Sequence, residues 1–155
     1  KRYNSIKDLV QFKDSTGKAM DWVESVVKYE RPDVVILDMG DKFADIRSER
    51  SDITLKAAAI HARNIAKQYD CAVVWMSQLS AEAEGRADLN QAMMEGSKTG
   101  KAAEADLMVL IGKTQQAEGE EEDPIRYLNI AKNKLNGFQG KITCQLDGSR
   151  SLYSA

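Results

Sequence analysis

Apolar side chains recur every three or four positions between Lys18 and Tyr29, at Ala19, Trp22, Val23, Val26 and Val27, the spacing of a helix with one buried face. Pro32 and Asp33 end it. Asp33 to Asp38 reads Asp-Val-Val-Ile-Leu-Asp, a short β-branched run without alternation, which predicts a strand covered on both faces, as in a parallel sheet. Gly40, Asp41 and a charged stretch to Asp52 then predict a loop, with Asp41 either seconding Asp38 or, the favoured reading, solvating the loop. From Ile53 to Tyr69 the positions Ala58, His61, Ala62, Ile65, Ala66 and Tyr69 form one stripe, while Lys56, Arg63 and Lys67 face away. This is an amphipathic helix that Ser51 or Asp52 can cap. Cys71 to Met76 is a second buried strand. Strand, helix, strand is a parallel βαβ unit, whose site belongs at the carboxyl ends of its strands.

The polar stretch from Ser80 to Lys98, with Gly85 and Gly96, is long for a connection in a compact domain and predicts a functional or disordered loop. A short helix over Thr99 to Ala105 leads into a third strand, Asp106 to Gly112. Glu118 to Asp123 reads as an acidic, solvated tip. Strands follow over Ile125 to Ala131, Gly140 to Leu146 and Ser151 to Tyr153, the first two joined through the turn dipeptide Asn136-Gly137. The pattern therefore predicts an α/β fold, a parallel sheet flanked by helices with antiparallel strands at the carboxyl end.

At 155 residues the chain is one domain by size, spanning 1–155. Lys and Arg number 22 against 24 Asp and Glu, a net charge of −2, which excludes a strongly basic nucleic-acid coat but not a local phosphate-binding loop. The two cysteines sit in separate strand-like runs, and His61 is the one histidine, so neither a disulfide framework nor a histidine metal centre is expected; His61 reads as a packed or hydrogen-bonded core residue. No apolar run approaches the roughly 18 residues of a membrane span, and no signal-peptide core follows Lys1-Arg2-Tyr3-Asn4, so a soluble, intracellular protein without membrane partners is expected. The opening lysine, with no methionine before it, leads us to expect a piece of something longer.

Asp38 ends an apolar strand at the site-bearing edge, where a carboxylate suits a hydrated Mg²⁺ beside a nucleotide triphosphate. An acidic strand cap is the bland alternative. Ser77-Gln78 leaves the neighbouring strand at the same edge, where a polar side chain can meet a γ-phosphate and report it to the loop beyond. Gly96 to Lys101 resembles a phosphate-cradling loop but fails its spacing, since three residues separate the glycines and Ala102 follows the lysine. Lys98, Lys101 and Arg86 are instead candidates for contacts to a nucleic-acid backbone, against the alternative of a solvated loop. Lys132 and Lys134 alternate on one strand and point to one face, so both can reach one anion; an edge strand guarded by lysines is the plainer account. No Ser-His-Asp, Cys-His or carboxylate-pair arrangement supports hydrolase chemistry of those kinds.

Four blocks, PDVVILDMGDKF (32–43), CAVVWMSQLS (71–80), EGSKTGKAAEADLMVLIGK (95–113) and IRYLNIAKNKLNGFQGKITCQLDG (125–148), together resemble the later half of the RecA-like ATPase domain of DnaB-type hexameric replicative DNA helicases, including phage primase-helicases. The resemblance implies part of a RecA-like P-loop NTPase core, without its P-loop segment or the glutamate that activates water. It implies ATP and Mg²⁺ as cofactors, single-stranded DNA and neighbouring copies in a homo-hexamer as partners, primase as a further partner, and the cytoplasm of a bacterial host if phage-encoded. It implies that Asp38 is the Mg²⁺-associated carboxylate, with Ser77 beside it at the nucleotide, and that Gln78 senses the γ-phosphate. The segment from Leu79 to Lys101, with Arg86, Lys98 and Lys101, would line the DNA channel, and Lys132 and Lys134 would reach the neighbouring subunit's ATP. The sequence departs from that pattern at Lys134, where arginine is usual, and at Ala103, where glutamine is common; lysine lacks the planar fork for bidentate phosphate contacts. A RecA-superfamily recombinase, a clock-type ATPase or a degenerate, non-enzymatic assembly module are the alternatives.

Overall fold

A computed structural model describes residues 8–43, 51–95, 100–116 and 123–154. The first helix, α1, spans Met20–Glu30 and buries Met20, Val23 and Val27, one turn apart on a single face. It stops at Arg31, which adopts a left-handed conformation (φ 50°) and donates its N–H to the Val27 carbonyl at 2.9 Å, a C-terminal cap made without glycine. Strand β1 (Val34–Leu37), helix α2 (Ser51–Tyr69) and strand β2 (Ala72–Trp75) form the expected unit, with β1 and β2 parallel in the register Val34 to Ala72 through Leu37 to Trp75. A core of Met20, Val23 and Val27 from α1, Leu55, Ala58, Ala62 and Ile65 from α2, and Leu37 with Phe43 fills the space between the helices and one face of this pair.

The expectation of strands covered on both faces is corrected here. Among the described residues Val34, Ile36 and Val74 point away from that core and are 53%, 64% and 45% exposed, so the pair is covered on one face only. Continuous apolarity in the sequence does not say which face is filled; the inward positions Val35, Leu37, Val73 and Trp75 do so here.

His61 lies at the edge of the α2 stripe, half-buried, with Nε2 2.7 Å from Glu24 Oε2 on α1, while the Tyr69 hydroxyl donates to Glu24 Oε1 at 3.1 Å. The hydrogen bond from His61, and then that from Tyr69, hold the Glu24 carboxyl below its ordinary value. A carboxyl depressed by folding contributes stability above its unfolded range, and that contribution is lost as pH falls through its folded value. We therefore expect wild type to melt above Glu24→Gln at neutral pH, and the two melting curves to converge below pH 4.5, the group's ordinary value.

The third strand, β3 (Leu107–Gly112), does not join the parallel pair. It pairs antiparallel with β4 (Ile125–Asn133), followed by β5 (Gly140–Asp147) and β6 (Leu152–Ser154) in the order β3-β4-β5-β6, so among the described residues the parallel sheet holds two strands and the antiparallel one four. The expected turn between β4 and β5 is present, with Gly137 at φ 77°. Of the acidic tip Glu118 to Asp123, 118–122 lie outside the described residues. Both cysteines are free.

The segment after β2, expected as an open loop, is folded onto this second sheet. Leu79 bridges to Met94, the Ser80 N–H donates to the Met93 carbonyl at 2.8 Å, and two single turns, Ala81–Ala83 and Gln91–Met93, lie between. Ala83, Leu89, Met93 and Met94 pack with Ala102 of the short helix α3 (Gly100–Glu104) and with Met108 and Leu110 of β3, a second core. Asn129, only 7% exposed in β4, pins the segment: it accepts from the Leu89 N–H at 3.3 Å and donates to the Ala87 carbonyl at 2.9 Å and the Tyr127 carbonyl at 3.2 Å. Asn129→Ala leaves buried backbone groups without partners and should cost about 2 kcal/mol, read as a lower urea midpoint with an unchanged slope.

Candidate functional site

Strands β1 and β2 end at one edge. Asp38 follows β1 directly and is exposed, and Met39 turns the chain through a left-handed conformation (φ 54°) into a single 3₁₀ turn, Gly40–Phe43. The Gly40 N–H donates to the Met76 carbonyl at 2.8 Å, drawing the turn against the end of β2. A Cβ at position 40 would stand 2.5–2.7 Å from the Trp75 indole, so only glycine lets the turn pass this close.

That approach sets Asp41 at the N–H edge of the indole. Trp75 Nε1 donates to Asp41 Oδ1 at 3.0 Å and the Ser77 hydroxyl donates to Oδ2 at 2.6 Å. Lys101, from α3, donates to both carboxylate oxygens at 3.0 and 2.9 Å and to the Ser77 oxygen at 2.8 Å. The Lys101 side chain is 5% exposed and that of Asp41 26%. Two expectations change as a result. Asp41, assigned to solvating a loop, is the hub of a network, and Lys101, assigned to a DNA backbone, is buried with its ammonium committed to Asp41 and Ser77. The physical reason is the same for both: a buried ammonium requires a carboxylate, and Asp41 is the one that the fold supplies.

The Asp38 carboxylate, by contrast, makes no hydrogen bond or ion pair among the described residues. Gln78 is exposed one residue beyond Ser77, and its carbonyl accepts from the Glu95 N–H at 3.4 Å. Arg86 is exposed just beyond the Ala81–Ala83 turn. Lys98 lies outside the described residues.

A second group forms at the carboxyl end of α3. Lys132 donates to the carbonyls of Ala102 and Ala103, Lys134 donates to Asp106 Oδ1 at 3.4 Å, and Arg63 of α2 donates to the same Asp106 oxygen at 3.2 Å and to the Glu104 carbonyl. Loss of solvent, followed by the nearby charge of Lys134, pushes the Lys132 ammonium below its ordinary value. Burial works against the charge of Asp106, yet Lys134 and Arg63 hold its carboxyl below the usual range. Lys132 and Lys134 thus reach one neighbourhood, while Arg63 and Asp106 were missed in the sequence because their partners are distant along the chain.

These residues fit a hydrated Mg²⁺ with a nucleotide better than an all-protein metal cage. Asp38 is a single carboxylate without internal partners at an open strand edge, and Mg²⁺ takes one or two carboxylates and keeps waters and phosphate oxygens. No group of three or more His, Cys, Asp or Glu that could hold a metal occurs among the described residues. No helix among them is long and apolar enough to cross a membrane.

No protein-family model matches the chain, and no curated protein matches it. Solved structures do. A DnaB-like replicative helicase, described with its interactions with primase, superposes with a TM-score of 0.76 at 18% identity over 91% of this chain and 36% of its own. The ATPase domain of G40P superposes with a TM-score of 0.75 at 16% identity over 88% of this chain and 51% of its own. The chain spans about a third and a half of the lengths of these two structures, and what it shares with them at such low identity is architecture: its α/β fold is that of part of a DnaB-like replicative helicase and of part of the G40P ATPase domain.

Proposed function

We propose that these residues belong to the ATPase motor of a replicative DNA helicase of the DnaB type, which uses MgATP to move along single-stranded DNA and part a duplex. The observation that carries this reading is Asp38: an exposed carboxylate without internal partners at the carboxyl edge of a parallel pair, one strand from Ser77-Gln78, in a fold shared with helicase ATPase domains. MgATP, when bound, supplies the phosphoryl group whose transfer to water drives movement. Asp38 would hold the water shell of the ion. Gln78, exposed beyond the end of the neighbouring strand, would meet the γ-phosphate, and Ser77, tied to Asp41, would set where Gln78 stands. No G-x-x-x-x-G-K-[ST] signature occurs in these 155 residues, so we assign the phosphate cradle to sequence outside them.

Arg86 and Lys98 are the candidates for DNA phosphates. Lys132 and Lys134 would approach the nucleotide of a neighbouring copy in a ring of six, with Asp106 and Arg63 holding Lys134 in place. Primase is the further partner, and the cytoplasm of a bacterial host, for a phage protein, the compartment. The test is DNA-stimulated MgATP hydrolysis and strand separation by the intact protein. Lys134→Ala should lower stimulated turnover at least tenfold in the assembled ring, since a cation acting in trans is worth about that or more. Absence of hydrolysis by the intact wild type would instead favour a degenerate assembly module.

A further inference from the structure

The Asp41 network joins elements that the proposed chemistry would need to move together. Ser77, where the chain leaves β2, and Lys101, where it re-enters a helix, both close on the same carboxylate, three residues after Asp38. One carboxylate therefore holds both Ser77, at the start of the segment from Gln78 to Glu95, and Lys101, in the helix beyond it. Among the described residues helix α3 spans Gly100–Glu104, a stretch with few hydrogen bonds of its own. Lys101 secures it to Asp41, and Lys132 caps the carbonyls of Ala102 and Ala103, so the helix lies as a strut between the Asp38 edge and the strand that leads to Lys134.

A buried ion pair is a poor way to gain stability, since an apolar pair of similar size does as well or better; its distinctive property is a directional geometry that is either made or broken. On this basis we infer that Lys101 is a positioning residue: its contacts with Asp41 and Ser77 couple the position of the segment from Gln78 to Glu95 to the Asp38 edge, so that DNA held by that segment regulates hydrolysis there. The inference rests on the helicase reading and deepens it. It assigns to Lys101 and Asp41 a role in transmission, with neither touching nucleotide nor DNA.

The test uses the intact protein and follows ring assembly, the Michaelis constant for MgATP, and the stimulation of hydrolysis by single-stranded DNA. Lys101→Met and Asp41→Asn should each reduce DNA stimulation at least fivefold, with assembly retained and the Michaelis constant changed less than about threefold, the signature of lost coupling rather than lost binding. The double variant Asp41→Asn/Lys101→Met should be no worse than either single change, because the two act as a unit. Lys101→Arg, which keeps the charge and can fork onto the carboxylate, should retain most of the stimulation.

Should Lys101→Met fail to fold, the double variant, which leaves no charge unpaired, carries the same comparison. Full stimulation in an assembled Lys101→Met or double variant, or a loss matched by a proportional rise in the Michaelis constant, overturns the inference while leaving the helicase reading in place. Absence of DNA-stimulated hydrolysis in the wild type overturns the helicase reading, and this inference falls with it.

Discussion

Asp38→Asn in the intact protein is expected to lower MgATP hydrolysis at least about a hundredfold at saturating nucleotide, because the charge that holds the hydrated ion is removed while size and shape stay the same. The change should scarcely affect folding. Asp38 is exposed and makes no hydrogen bond or ion pair among the described residues, so melting should shift by no more than the about 0.5 kcal/mol of a surface substitution. Steady-state hydrolysis and a thermal melt of the same preparation separate the two effects. Hydrolysis at the wild-type rate would remove Asp38 from the ion site and return it to the role of an acidic strand end.

The opposite profile is expected at Lys101. Replacing it with alanine leaves the Asp41 carboxylate facing Ser77 and Trp75 with its cation gone, and breaking a buried pair in this way costs about 3–5 kcal/mol. Asp41 is 26% exposed, so water recovers part of that and the low end applies, about 3 kcal/mol. In a domain of this size that corresponds to a fall in melting temperature of about 6–12 °C. Asp41→Asn/Lys101→Met, which removes both charges and fills the space, should cost clearly less. Equal costs for the two variants would mean that packing, rather than the unpaired charge, sets the loss.

The contrast between these two aspartates shows how far the sequence can be read. Helices α1 and α2 and the β1–β2 pair were legible, because an apolar face at helical spacing and a β-branched run are local signals. Asp38 was legible for the same reason, since it ends such a run. Asp41 was not: its partner lies 60 positions away, in a helix too short to show periodicity, within a stretch whose polarity resembles that of any solvated loop. The order of the segment from Leu79 to Met94 was hidden in the same way, because Asn129, the side chain that pins it, lies 40 positions beyond Leu89 and looks like one more polar residue in a strand. The pattern of one strand predicted two covered faces where one is covered, since periodicity reports what a face can tolerate rather than what lies on it.

Gly40 has no side chain and takes part in no chemistry, yet the Trp75 ring occupies the space where any other residue would begin. In a survey of every single substitution, position 40 would therefore score like a reactive residue. Nineteen alternatives would fail there for want of room, whereas the aspartates on either side would fail for reasons of charge. Intolerance to change would mark all three alike, and a second substitution that shrinks the indole would relieve only the glycine.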